Sequence, residues 1–278
     1  MGRLGGGGPQ AAYGMRLFSS QVGLAGSVGP DFSRKLWQEL RAIGIDLNGI
    51  RQAEQPTPRA WQILEEDGRR TQIWRVAETA LAQHLKRRID DLPQEYRVAR
   101  AYHLGIHPLD ADLDFLATMH ALGGLLSVET YKPAERPLNA RELQSILKSA
   151  DIFSMNALET ESLLGKSRWE EQLDVLFEAG ARLVTLRLGQ DGCLASDGRQ
   201  AVHVPVVPVE SNFPVGAGNA FCGGFLAGWV ETQDLAHAAG CGTVAAAFFI
   251  ERGYRIPADS TRIEQTLERL AGSTEKWR

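Results

Sequence analysis

Cysteine is scarce in this 278-residue chain: there are three, Cys193, Cys222 and Cys241, with no C-x-x-C pair among them. That excludes a disulfide framework and a cysteine-built metal site, and it fits a reduced, intracellular protein. No apolar run approaches the roughly 18 residues of a membrane helix. The opening MGRLGGGGPQAAYG lacks the apolar centre of a signal peptide, and no N-x-S/T sequon occurs. The expectation is a soluble, cytoplasmic protein with no membrane partner. Excess positive charge is missing too. Thirty Lys and Arg stand against thirty-four Asp and Glu, a net charge of −4, so the field of a nucleic-acid binder is absent and a small, locally held ligand fits better. The six histidines show no metal-ligand spacing. His103 and His107 read as structural or rim residues.

What is present is globular composition, 44% hydrophobic and 23% charged, in a chain long enough to bury one continuous core. From Arg97 onward strand-like and helix-like segments alternate: RVARAYHLGI, LDFLATMHAL, GLLSVET, NARELQSILKSA, DIFSMN, ALETESLLG, RWEEQLDVLFEAG and RLVTLRL. This spacing predicts βαβ units around a mainly parallel sheet. A hairpin-like stretch to Val209 precedes two small-residue helices, Ala220 to Thr232 and Leu235 to Arg252. Upstream, QAAYGMRLF reads as a helix, QVGLAGSVG as a strand and turn, and DFSRKLWQELRAIGI as a helix running from an Asp31 cap to a Gly44 stop. Ala60 to Leu64 and Thr71 to Val76 form a predicted hairpin across Asp67-Gly68. Trp61 and Trp74 are expected to pack across it, the wall of a ligand site being the other reading. No repeat or linker divides the chain, so 1–278 reads as one α/β domain with a β element around 57–77.

The sharpest local feature is VPVVPVESNFPVGAGNAFCGGFLAGW, where an apolar run passes through Gly216-Ala217-Gly218 into a helix with almost no side chains in its first turn. Glycines let the backbone approach a ligand, and the open N–H groups of a helix N-terminus favour a phosphate or a developing oxyanion. Gly223 and Gly224, deeper in the helix, read as packing glycines. Two phosphate motifs fail on counting. Gly165-Lys166-Ser167 has Thr160 where a P-loop needs its first Gly, and Gly216-Ala217-Gly218 has Phe221 where a dinucleotide fingerprint needs its third.

The ordered set GGGGPQAA, SVGPD, LRAIGID, the DG hairpin, NALETESLLG, VTLRLGQDG and PVGAGNAFCGGFL resembles the ribokinase, or pfkB, family of sugar and nucleoside kinases over nearly the whole chain. The phrasing of GGGGPQAA and RAWQILEEDGRRTQ is nearest to a plant and algal branch. The resemblance implies a ribokinase-like α/β/α sandwich with a central mainly parallel sheet and a small β-hairpin lid. It also implies a sugar- or nucleoside-like alcohol under the lid, with ATP and Mg²⁺ as cofactors. By position it assigns Gly216, Ala217 and Gly218 to the anion hole and Asn219 to the catalytic position. Asn156 and Glu159 match an N-x-x-E motif whose Glu orders Mg²⁺ and its waters. Arg187, Gly189 and Gly192 fall on the nucleotide-side strand and turn, and Gly242 on the helix that lines the adenine. Read from the residues alone, Asn156 and Glu159 are a helix cap and a first-turn acid, and Arg187 is an exposed strand-end arginine as readily as a phosphate ligand. A lid-mediated homodimer is compatible with the family.

The chain departs from that family where the chemistry is done. Asn219 stands where relatives carry the Asp that accepts the substrate's hydroxyl proton, and an amide is no base. Phe213-Pro214-Val215 replace a D-T-T. The family's first strand, with its substrate-binding Asp, is missing before Gly5, and Ala12 replaces an Asn for which Gln10 could stand in. Glu251, Asp191 and Glu210 lie near site segments and read as surface acids. The expectation is an ATP-dependent small-molecule kinase with altered catalytic residues; the alternative is an inactive pseudokinase that binds nucleotide or ligand.

Overall fold

Side-chain caps set several helix starts. Asp112 accepts from the Phe115 amide at 3.0 Å, Asp234 accepts from His237 at 2.7 Å, and Asn139 with Glu142 closes a reciprocal capping box. In the computed structural model, which describes residues 3–64, 70–210 and 214–277, the order begins with α1 (Gly7–Arg16), β1 (Gly23–Val28), α2 (Arg34–Ala42) and β2 (Asp46–Gln52). β3 (Ala60–Leu64), β4 (Arg70–Trp74) and α3 (Glu78–Leu85) follow. Then come β5 (Ala101–Ile106), α4 (Leu113–His120), β6 (Leu125–Thr130), α5 (Ala140–Leu147), β7 (Ile152–Asn156), α6 (Ala157–Leu164), α7 (Trp169–Glu178) and β8 (Val184–Arg187). The chain closes with β9 (Cys193–Ser196), β10 (Ala201–Val204), α8 (Ala217–Thr232), α9 (Leu235–Arg252), α10 (Thr261–Ser273) and β11 (Glu275–Trp277).

A seven-stranded sheet runs β11-β10-β9-β8-β7-β6-β5, parallel from β5 to β8 and antiparallel beyond. Its inner strands send side chains into two cores. Val128, Met155, Leu186 and Leu194 meet α4–α7 on one face; Ile152, Ala195, Val202 and Val204 meet α8–α10 on the other. β6 is buried on both faces, and its polar Ser127, Glu129 and Thr130 are buried with Leu126 and Val128. β1 and β2 pair in parallel as a separate sheet, and β3 and β4 form an antiparallel ribbon. Among the described residues no helix is long and apolar enough to cross a membrane.

Several expectations change. α2 is capped by Ser33, whose hydroxyl accepts from Leu36. Asp31 instead takes the Thr57 amide at 2.7 Å and pairs with Arg59 at 2.8 Å, fastening the base of the ribbon to the loop after β1. The segment expected as strand from Arg97 starts at Ala101. Before it Gln94–Val98 makes a 3₁₀ turn, and the Tyr96 hydroxyl donates to the Asp46 carbonyl at 2.9 Å. Asp67-Gly68 lies outside the described residues, but the register of the ribbon does not: Ala60 opposes Trp74, and Trp61 opposes Ile73. This differs by one residue from a two-residue turn at Asp67-Gly68 and puts the two tryptophans on opposite faces instead of against each other. β2, α3, α10 and β11 had no sequence-based counterpart.

α1, α8 and α9 cross in backbone contact. A Cβ on Gly223 would sit 1.9 Å from the Ala11 carbonyl oxygen, and one on Gly14 would sit 2.0 Å from that of Ala220. Gly224 meets the Cys241 carbonyl on α9 in the same way, at 2.6 Å. The packing reading of Gly223 and Gly224 therefore holds, with helices rather than the sheet as neighbours. Gly223→Ala is expected to cost about 3 kcal/mol or more in urea unfolding. Gly272→Ala on α10, where a Cβ meets nothing within 4 Å, should be neutral or stabilising by up to about 1 kcal/mol.

Candidate active site

The turn into α8 has the conformation expected of it. Gly216 has φ 102, a left-handed conformation, and a Cβ there would lie 2.4 Å from the Gln10 side-chain amide, so glycine is required twice over. The first i→i−4 bond of the helix runs from the Ala220 amide to the Gly216 carbonyl. The amides of Gly218 and Asn219 precede it and point out of the helix end. α1 begins beside this point, and Asn219 Oδ1 lies 3.3 Å from where a Gly7 Cβ would be. Two helix N-termini thus converge on one side chain. Asn219 Nδ2 donates to Gln10 Oε1 at 2.6 Å, so the side chain at the position expected to carry a base is paired with another amide.

The strand ends carry the rest. Asn156 ends β7 and caps α6: its Oδ1 accepts from the Glu159 amide at 2.8 Å, and Glu159 Oε2 accepts from the Asn156 amide at 2.9 Å. Both the cap reading and the strand-end position are therefore real. Arg187 pairs with Asn156 across the β7–β8 ladder. It is not the exposed strand-end residue of the simpler reading; its side chain is 11% exposed. Its Nη1 donates to Glu129 Oε2 at 2.9 Å and reaches the Gly218 carbonyl at 3.4 Å, while Nη2 donates to Glu159 Oε2 at 3.1 Å. One guanidinium thus joins β6, α6 and the start of α8.

Glu129 is also met by His103 Nε2 at 3.2 Å and by the Cys222 thiol at 3.2 Å. Burial works against its ionised form, but hydrogen bonding from His103 and the charges of Arg187 and His103 outweigh burial and hold the carboxyl at about 2. Burial pushes the Cys222 thiol well above its ordinary value. Glu129, His103 and Cys222 were not assigned to the site from sequence. The available signal was a carboxylate inside the strand LLSVET, in the middle of the alternating pattern, since a buried acid needs a partner.

Of the expected nucleotide-side residues, Gly189 has φ +66 with open space around it, and Gly192 is pressed against the Val204 carbonyl, 2.1 Å from an added Cβ. Gly242 lies inside α9, where an added Cβ would be 2.8 Å from the Phe221 ring. Glu251 is paired with Arg262 at 2.7 Å, and Glu210 is exposed. Asp191 lies in the β8–β9 turn, where its carbonyl meets His203. None of the three is bonded to Asn219. Pro214 accepts from the Ala217 amide; Phe213 lies outside the described residues.

The seven-stranded sheet, the helices on both faces and the glycine turn at the strand ends define a ribokinase-like α/β protein. The model of the pfkB family carbohydrate kinases matches residues 2–262, and the chain belongs to that family. It is 29% identical over 237 residues to the cytidine kinase of Thermococcus kodakarensis, covering 83% of this chain and 82% of that one. It is 28% identical over 254 residues to the ATP-dependent ribose-1-phosphate kinase of Halopiger xanaduensis, covering 88% and 81%. The fold superposes on the fructokinase with bound ATP from Xylella fastidiosa with a TM-score of 0.76 at 18% identity, over 96% of this chain and 91% of that one.

Because Glu129 titrates near 2 when folded and near 4.3 when unfolded, its stabilisation is complete above the unfolded value and disappears as pH falls through the folded one. Urea unfolding between pH 5 and pH 2 should show a loss of up to roughly 3 kcal/mol from this group. Glu129→Gln should be less stable at neutral pH and show a flatter profile over that window.

Proposed function

We propose that this chain is an ATP-dependent kinase that transfers the γ-phosphoryl group to the alcohol of a sugar- or nucleoside-like small molecule, with an altered proton-accepting position. The observation that carries this is the left-handed Gly216 turn, which aims the first amides of α8 outward at the C-terminal ends of the parallel strands. Phosphoryl transfer passes through a loose transition state that asks the protein mainly for positioning and for neutralisation of charge. The Gly218 and Asn219 amides supply hydrogen-bond donors, and the helix dipole adds partial positive charge. Relatives that phosphorylate cytidine and ribose 1-phosphate support a ribosyl-type acceptor.

Relatives in this family use ATP with a divalent metal, and Mg²⁺ is the ion the nucleotide brings. Neither Glu159, expected to order the ion and its waters, nor Glu129, which the fold adds beside it, has its Oε2 open to a directly ligated ion. Glu159 Oε2 is taken by Arg187 and by the Asn156 amide, and Glu129 Oε2 by Arg187 and Cys222. The steps assigned to this chain therefore rest on its own groups: the α8 amides hold the transferring phosphoryl, Arg187 fixes the strand ends behind them, and Asn219 holds position without accepting a proton.

A second reading, a pseudokinase that binds nucleotide or ligand without turnover, is favoured by one contact, the Asn219–Gln10 amide pair. Calorimetric titration with ATP and Mg²⁺, followed by product assays over sugars, nucleosides and polyols, separates the two. The kinase reading expects ATP binding, slow transfer by the wild type and a gain of about 10²–10⁴-fold in kcat for Asn219→Asp. The pseudokinase reading expects binding with both forms silent. Loss of ATP binding in both forms would sink both readings.

The proposal includes the β3–β4 ribbon as a lid. Trp61, Ile63 and Ile73 share one face and are 58%, 41% and 44% exposed, which favours a homodimer through that face. Sedimentation velocity at micromolar concentration should show a dimer that Trp61→Ser with Ile73→Ser dissociates; a monomeric wild type would refute it.

A further inference from the structure

Four side chains that ligate cations well converge at the ends of β6, β7 and β8. Donor atoms of His103, Glu129 and Cys222 lie within 4.8 Å of one another, and Glu159 faces them from α6. Such a donor set, with two carboxylates 5% and 9% exposed, holds a cation or is destabilised by its own charge. The space among them belongs to Arg187. Its fork meets one Oε2 of each carboxylate, at 2.9 Å and 3.1 Å, and it also touches Ser154 Oγ and Cys222 Sγ.

A guanidinium does not deprotonate in a protein, and its planar fork suits two carboxylates at once. A small divalent ion instead requires oxygens at about 2.0–2.1 Å in octahedral array. Here the Oε2 of each carboxylate already accepts hydrogen bonds, and a fixed positive charge stands within bonding distance of each. A second cation in the cluster would be repelled through a low-dielectric interior.

We propose that Arg187 is a built-in cation filling the place between Glu129 and Glu159, so that this protein ligates no divalent metal there and its resident positive charge behind the α8 turn is a side chain. The inference deepens the kinase reading and rests on it for the nucleotide, but the metal measurement below stands without it.

The test is manganese binding without nucleotide, read by electron paramagnetic resonance. Wild type is expected to bind no Mn²⁺ beyond weak association with exposed carboxylates. Arg187→Met, which removes the guanidinium between the two acids, should gain one Mn²⁺ per chain, and the added Glu159→Gln should remove it. A wild type that binds one Mn²⁺ lost in Glu159→Gln overturns the proposal, as does a folded Arg187→Met that gains none. Should Arg187→Met fail to fold, the wild type alone decides: its thermal midpoint should be the same in EDTA and in excess Mg²⁺, and a rise of several degrees that Glu159→Gln abolishes would refute it. Absence of ATP binding in EDTA and in Mg²⁺ alike would overturn the kinase reading only.

Discussion

The arrangement at the strand ends depends on one bridging charge. Arg187 reaches from the last residue of β8 to Glu129 on β6, to Glu159 on α6 and to the Gly218 carbonyl on α8. These groups come from four separate stretches of chain. Removing one partner of such a buried set typically costs about 3–5 kcal/mol, because the remaining charges stay buried without compensation. The net worth of the whole set is smaller, since each ion has left water. Its value lies in geometry: a fork with fixed angles holds the first turn of α8 at a set height over the sheet.

A second constraint acts from the other side. α1 lies backbone against backbone on α8, which only Gly14 and Gly223 permit, and that contact brings Gln10 to Asn219. The turn is thus held between a charged contact beneath and an apolar helix contact beside it. Pre-positioned donors of this kind need no reorganisation as negative charge develops. On the kinase reading proposed above, the turn supplies positioning while the side chain at the expected proton-accepting position is an amide, so the two contributions can be tested separately.

Much of the fold was legible because its rules are local. The alternation after Arg97, the Asn156 cap and the Gly216 turn follow from period, capping chemistry and backbone freedom, each readable within a few residues. The bottom of the site was not. His103, Glu129, Ser154, Arg187 and Cys222 meet only because β5 to β8 lie side by side and α8 returns over them, and no short window contains that information. The family resemblance placed Arg187 near the nucleotide, but its burial between two acids required the neighbouring strands. Trp61 and Trp74 failed for a related reason: facing is set by register, and the register of the described strands is one residue away from that of a two-residue Asp67-Gly68 turn. Gly242 was assigned by position, and the packing of α9 on Phe221 gives its lack of a side chain a second reason.

The ribbon's two-sided character reaches beyond one molecule. With Trp61 on one surface and Trp74 on the other, 58% and 46% exposed, a single element presents an apolar ring on each of its two faces. On the proposed reading of the ribbon as both lid and dimer face, occupation of one surface stiffens the strands that carry the other, and by reciprocity of linkage each event favours or hinders the other by the same factor. Dilution would then act as an effector on that reading: affinity for the small molecule would drift with protein concentration even though no residue of the pocket had changed.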